Sequence, residues 1–365
     1  MPGTAPDSLA ALRREFRARG WHRKATARIV SELVLHSLLS IGGQAIFIFS
    51  HGLGIELIGL AISTYGTLGV ATNAHTSSHG GTFARRWLND LLTWYSFAFF
   101  VGQATTYWRH SHIVVHHPSP NVVGVDDDAD FSPYFASTDR EIAEATGLKR
   151  VYFAYQWILF PLILWVNAFT RHLSGAKFLA RRLRDPIRRR PAHGIDLGVL
   201  VLHYAVWIGV PAIALGVWGA IGFYLLRFAA LGYPLFAVLA PAHYPAEAAV
   251  LAKSNEPADF VRLQTVTTVN FRTGVLGRLV CSGLEYQIEH HLFPSYSHVY
   301  YPRMSVLVRE FCEREGHPYR TLGWGEACWK TFAIFRTPKC VQPDATALRH
   351  GTGASDTMAR LDAVE

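Results

Sequence analysis

Two adjacent histidines on a helix are poor partners for one metal ion and good partners for two. The stretch Gly283-Leu-Glu-Tyr-Gln-Ile-Glu-His-His-Leu-Phe-Pro294 carries such a pair, His290 and His291, after Gln287. Helical neighbours point about 100° apart, so the two rings face different directions, while Gln287, three and four residues upstream, shares their face. Upstream, His75 and His79 are spaced i, i+4, and His112, His116 and His117 form a cluster ending in a second adjacent pair. An i, i+4 spacing sets two rings on one helix face, as a metal requires. Three such clusters exceed what chance readily produces, even in a chain with 18 histidines. The Glu-x-x-His carboxylate set of soluble di-iron bundles is missing, so the site is nitrogen-rich. Imidazole suits iron, zinc, copper and nickel, and ligand type alone does not name the metal.

The elements that carry these clusters must bring them together. The chain has 365 residues, half of them hydrophobic, with a mean hydropathy of +0.14. That is enough for several membrane spans and a cytosolic cap. The net charge of +8 lies beside apolar segments, which points to a membrane surface rather than nucleic acid. Cys281, Cys312, Cys328 and Cys340 lack CxxC spacing and read as thiols of a reducing compartment, not a disulfide frame or zinc site. Neither an internal repeat nor a nucleotide-binding glycine pattern is present.

Residues 1–28 carry seven Lys/Arg without a signal-peptide pattern and form a cytoplasmic basic segment. Within it, Leu9 to Arg17 has helical apolar spacing and reads as a helix on the membrane surface or in solvent. Residues 29–49 and 53–72 form a spanning hairpin that ends just before His75. Residues 88–108 are also apolar, but a crossing there would put His79 and His112 on opposite faces. They therefore read as an interfacial or re-entrant helix. Three more apolar segments follow, at 152–169, 196–217 and 218–242. The loop between the first two holds Arg171, Lys177, Arg181, Arg182, Arg184, Arg188, Arg189 and Arg190 and is cytoplasmic by the positive-inside rule. Residues 152–169 then start and end inside as a second interfacial helix, leaving four spans. Arg227 is costly within the last one, which leaves open a start near Phe228. Residues 126–130 read as a solvated acidic loop. His243 emerges where the clusters meet and joins the candidate ligands. Residues 29–340 make up the membrane domain, and residues 341–365 read as a disordered tail. The fold class is an all-α integral membrane protein with four transmembrane helices and a cytoplasmic helical cap around a histidine-rich dimetal site.

The boxes His75-x3-His79, His112-x3-His116-His117 and Gln287-x2-His290-His291 resemble those of the membrane fatty acid desaturases. Trp108 and Asn121 flank the second box as in that family, and Thr268, Asn270 and Tyr286 to Pro294 resemble the third. Gln287 at the head of the third box is typical of the front-end, delta-5/delta-6-like branch. The resemblance covers roughly residues 20–325. Thr76 departs from the usual His-Asp of the first box, Leu239 stands where acyl-CoA members have an asparagine, and the fused cytochrome b5 domain with its haem motif is absent.

The resemblance implies two iron ions held by His75, His79, His112, His116, His117, His243, His290 and His291. Further candidates at the site are His110, Gln287 and Asn270. It implies O2 as co-substrate and electrons from a separate ferredoxin or cytochrome b5 drawing on NAD(P)H. The substrate would be a fatty acyl chain on CoA, acyl carrier protein or a membrane lipid, handled on the cytoplasmic face. Each ligating ring needs a partner on its other nitrogen. Asp90, Asp126 to Asp128, Glu285, Glu289 and Asn270 are candidates. Trp94, Tyr107, Trp157 and Tyr286 are candidate lining for an acyl tunnel, or ordinary packing aromatics. The expected reaction is desaturation. Hydroxylation, ketolation or acetylenic-bond formation at a similar site is the alternative, and a zinc-dependent membrane hydrolase a more distant one.

Overall fold

A computed structural model describes residues 5–345 apart from Ala129 and residues 255–257. Helix dominates. Among the described residues the only ladders are two short parallel pairs, Val250–Leu251 with Val341–Gln342 and Asn270–Arg272 with Thr321–Gly323, which qualifies the all-α expectation. Residues 341 and 342, expected in the disordered tail, form one of these strands. Residues 346–365 of that tail lie outside the described residues.

Four helical stretches are long and apolar enough to cross a bilayer: Thr26–Phe49, Leu53–Ser78, Gly147–Arg184 and Pro191–Ala242. The first two form the expected hairpin. Small residues let them approach backbone to backbone: a Cβ built on Gly66 would lie 2.3 Å from the Ser40 amide nitrogen, and one on Gly43 2.4 Å from that of Ser63. The Leu53–Ser78 helix runs past the expected end near residue 72, so His75 and His79 sit on its last turn and C-cap.

Other boundaries differ from expectation. Residues 88–108 are not one helix. An α-helix Arg86–Thr93 runs into a π-helix Trp94–Phe100, the chain breaks at residues 101–104, and Thr105–Trp108 leads into a second π-helix, Arg109–His116. Residues 152–169 belong to a longer stretch made of Gly147–Ile163, a 3-10 turn Leu164–Val166 and Asn167–Arg184. The Pro191–Ala242 stretch bends back at Gly216, whose φ of 68° is open to glycine and strained for other residues. The chain is already helical again by Arg227, which is only 1% exposed. Arg227 is tolerated because its guanidinium stacks 4.5 Å over Trp207 and Nη2 donates to Thr67 Oγ1 and Phe100 O.

The N-terminal helix Ala5–Ala18 docks on the rest of the chain. Leu9, Leu12 and Phe16 bury against Phe293 and the Tyr301–Glu315 helix, with the Phe16 and Phe293 rings edge-on at 5.0 Å. It closes the cap over the third histidine box.

Candidate metal centre

The first box is set by α-helical geometry. His75 and His79, four residues apart, share one face with ring centroids 5.0 Å apart. The second box sits on the π-helix, where i→i+5 bonds replace i→i+4 ones: the His117 amide donates to His112 O at 3.0 Å. An α-helix would place residue i+5 about 140° around the axis. The π register instead brings His117 nearly over His112, with Nε2 atoms 3.2 Å apart. The expected His112–His116 pairing is replaced by His112 with His117. The third box is the short helix Gln287–Leu292.

The boxes converge into two buried groups. His75, His79, His112, His117 and His290 form one; His116, His243 and His291 form the other. Each adjacent pair divides between the groups, with ring planes 84° apart at His116/His117 and 88° apart at His290/His291. In the first group His75 and His112 have Nε2 atoms 2.7 Å apart, and those of His290 and His117 lie 3.0 Å apart. Ligand atoms bonded at about 2.1 Å to one metal lie roughly 3 Å from each other, so these nitrogens are spaced as a coordination polyhedron. His79 Nε2, His291 Nε2 and Gln287 Oε1 are buried without a hydrogen-bond partner among the described residues, as donors waiting for a metal or its water would be. Gln287 Nε2 lies 2.9 Å from His243 Nε2.

Neutral rings are what a metal needs. Burial, reinforced by neighbouring rings, holds the pKa of His112, His117, His290 and His291 well below the usual imidazole value, and that of His79 at about 3. The outer nitrogens are fixed by partners. Asp126 Oδ2 accepts from His116 Nδ1 at 2.8 Å, and Gln264 Oε1 from His291 Nδ1 at 2.6 Å. Burial opposes charge on His116, but the Asp126 carboxylate outweighs it and raises the pKa. Asp128 lies 3.5 Å from His112 Nδ1 and pairs with Arg171. Asp126 is thus a buried partner of the site and Asp128 a half-buried one, while Asp127 and Asp130 are exposed as a solvated loop would be. Asn121 ties the site together: its amide donates to His243 O, Ala249 O and Thr267 O, and its backbone N–H to Asp126.

Two candidates are not brought to the groups. His110 points away and stacks on Phe178 at 5.2 Å. Asn270 spends its side chain on the third box: Nδ2 donates to Glu289 Oε2 and Tyr319 OH, and Oδ1 accepts from the Ile288 amide. It anchors that helix. Asp90 pairs with Arg109 instead of a histidine. Trp94 donates to Asp196, Tyr107 packs on Phe178 and Trp157 lies under Arg336, so these three have packing roles. Gln264 and Asp196 carried no sequence signal, since neither neighbours a box. An apolar groove of about 550 Å³ lies between the Leu53–Ser78 and Val210–Leu239 helices and the Val275–Cys281 helix. Leu57, Ala61, Leu68, Ala230, Pro234 and Val280 are among its lining. Leu68 stands two helical turns, roughly 10 Å, below His75.

Residues 51–323 match the fatty acid desaturase family. The chain is 30% identical over 275 residues to the Delta(5) fatty acid desaturase of Caenorhabditis elegans, covering 72% of this chain and 59% of that protein. It is 27% identical over 296 residues to an sn-1 linoleoyl-lipid 6-desaturase of Arthrospira platensis, covering 73% of each, and 25% identical over 334 residues to a Delta(8)-fatty-acid desaturase of Euglena gracilis, covering 87% and 75%. The match spans about half to three fifths of the length of several curated relatives. With its boxes converging as described, the chain belongs to the fatty acid desaturase family, beside its front-end members.

Proposed function

We propose that this protein is an O2-dependent fatty acyl desaturase that inserts a double bond into a long acyl chain at a non-haem di-iron centre. The observation that carries the reading is the division of eight histidines into groups of five and three, with each adjacent pair split between them. One iron ion would be held by His75, His79, His112, His117 and His290, the other by His116, His243 and His291. Iron bound there would supply the oxidising power needed to take hydrogen from an unactivated methylene. In balance, –CH2–CH2–, O2, two electrons and two protons give –CH=CH– and two waters. The protein's own part is to orient and to exclude. Asp126 and Gln264 fix ring directions, burial keeps bulk water out, and the apolar groove below the histidines accepts the acyl chain. Gln287 hydrogen-bonds at the second group rather than ligating a metal. Relatives named for acyl-lipid substrates support a lipid-linked chain. The electrons would come from a ferredoxin or cytochrome b5.

The same reading gives a topology. The chain leaves the cluster at His79 and returns at His112, then leaves at His117 and returns at His243. Each excursion must cross the bilayer an even number of times. If the hairpin bent at Gly216 crosses twice, Gly147–Arg184 stays at the interface, and its arginines put the catalytic site on the cytoplasmic face.

Expression in a host with simple fatty acids, followed by gas chromatography–mass spectrometry with double-bond location, tests the activity. New unsaturated acyl chains are the expected result. Hydroxylated products, or purified protein holding one zinc and no iron, would overturn it.

A further inference from the structure

Asp196 makes no hydrogen bond to the histidines of the two groups, and the proposed reaction gives it no part. It lies on the Pro191–Tyr204 helix and is fully buried. Its contacts converge on the start of the second-box helix. Oδ1 accepts from the Thr105 amide at 3.1 Å and the Trp94 indole at 2.9 Å; Oδ2 accepts from the Thr106 amide at 2.7 Å and its hydroxyl at 2.5 Å. The first amides of a helix have no acceptor within it, and Ser, Thr, Asp or Asn at the N-cap normally provides one. Here the N-cap is Ala104, which has no side-chain oxygen. Asp196 supplies from another helix the acceptor that Ala104 lacks, and its charge faces the positive end of the helix dipole.

The other side of the break is held by the same hairpin. His203 Nδ1 and Trp207 Nε1 each donate to Phe99 O at 2.6 Å, and Arg227 Nη2 donates to Phe100 O at 3.3 Å. Between the two ends sits Gly102, with φ 77° and so little room that a Cβ would lie 2.6 Å from His203 Nε2. A carboxylate therefore meets the amide end of the break and a cation meets its carbonyl end. This accounts for two charges in an otherwise apolar hairpin, where an uncompensated charge is costly.

We propose that Asp196 is a positioning residue for the second histidine box. It fixes the direction of the helix that begins at Thr105, and with it the aim of His112, His116 and His117. The proposal rests on the metal-centre reading only for its consequence in iron binding; the cap itself is tested separately. The full chain is purified after iron loading as wild type, Asp196→Ala, Asp196→Asn, and Asp196→Ala combined with Ala104→Ser. Size exclusion checks the fold, iron per protein and the Mössbauer spectrum report the site, and hydrogen exchange of residues 105–112 reports the cap without reference to any metal.

Asp196→Ala is expected to stay monodisperse, lose protection at residues 105–112, and bind iron about 10-fold more weakly, as for loss of a supporting partner. Asp196→Asn keeps one acceptor oxygen and falls between. Ala104→Ser, which restores an oxygen at the N-cap, recovers protection and iron in the Asp196→Ala background. Unchanged exchange in Asp196→Ala would overturn the proposal, as would iron content and spectrum equal to wild type. If Asp196→Ala does not fold, Asp196→Asn decides: wild-type exchange and iron there would overturn it. Wild-type protein without iron would defeat the di-iron reading, and the exchange data would still decide the cap.

Discussion

At the scale of single residues, Gln287 and Asp126 contact the second group in different ways. Gln287 reaches His243 with its Nε2 while its Oε1 has no partner among the described residues. An amide is a weaker ligand than imidazole, and His243 already supplies nitrogen to that group. Gln287→Ala is therefore expected to keep near-normal iron and lose about 10–100-fold in activity, the scale seen when a supporting contact is removed. Iron quantified by mass spectrometry beside product formation checks this, and iron loss as deep as in His291→Ala would make Gln287 a ligand. Asp126→Asn acts on the ring itself. The carboxylate that fixes the His116 tautomer becomes neutral, and iron affinity should fall by about 10–100-fold, measured by competition with a chelator. His110→Ala serves as the control in both series, because that ring lies on Phe178 away from the groups.

At the scale of elements, the two π-helices and the docked N-terminal helix decide how the boxes meet. The π register over Arg109–His116 moves His117 to where it shares a group with His112 and releases His116 to the other. An α-helix would have paired His112 with His116 and left one group short. The N-terminal helix acts from outside. Phe16 is fully buried against Phe293, directly after the third box. Truncating such a ring in a packed core costs about 3–5 kcal/mol. Phe16→Ala is therefore expected to lower the midpoint of thermal unfolding in detergent and to loosen the cap. A melting curve superimposable on wild type would show that the helix is dispensable.

At the scale of the whole molecule, the chain passes repeatedly through the histidine groups, and the proposed topology is built on that. Cysteines placed at residues 51 and 218 should label from the far side of the membrane, and one at residue 180 only from the cytoplasmic side. Labelling of residue 180 from outside would mean that Gly147–Arg184 crosses. The groove offers a separate check. Ala230 lines it and belongs to neither histidine group, so Ala230→Phe should leave iron unchanged and cut turnover of long chains more than short ones. Equal turnover across chain lengths would place the acyl chain elsewhere.

The three boxes, the hairpin that delivers the first of them and the membrane class were legible in the sequence because each rests on local spacing: i, i+4 rings, adjacent pairs and apolar runs of spanning length. The adjacent pairs even pointed to two groups of rings, since a helix turns about 100° per residue. What only the tertiary structure decided is which ring joins which group, because the π register is set by packing and leaves no mark in residue spacing. It also decided the partners that aim the rings. Asp126 looked like part of a solvated acidic run until burial put it on His116. Gln264, Asn270 and Asp196 reach their targets across 27, 19 and 91 residues of sequence. A hydrogen bond closed over such separations depends on where whole helices pack, and no local pattern encodes it.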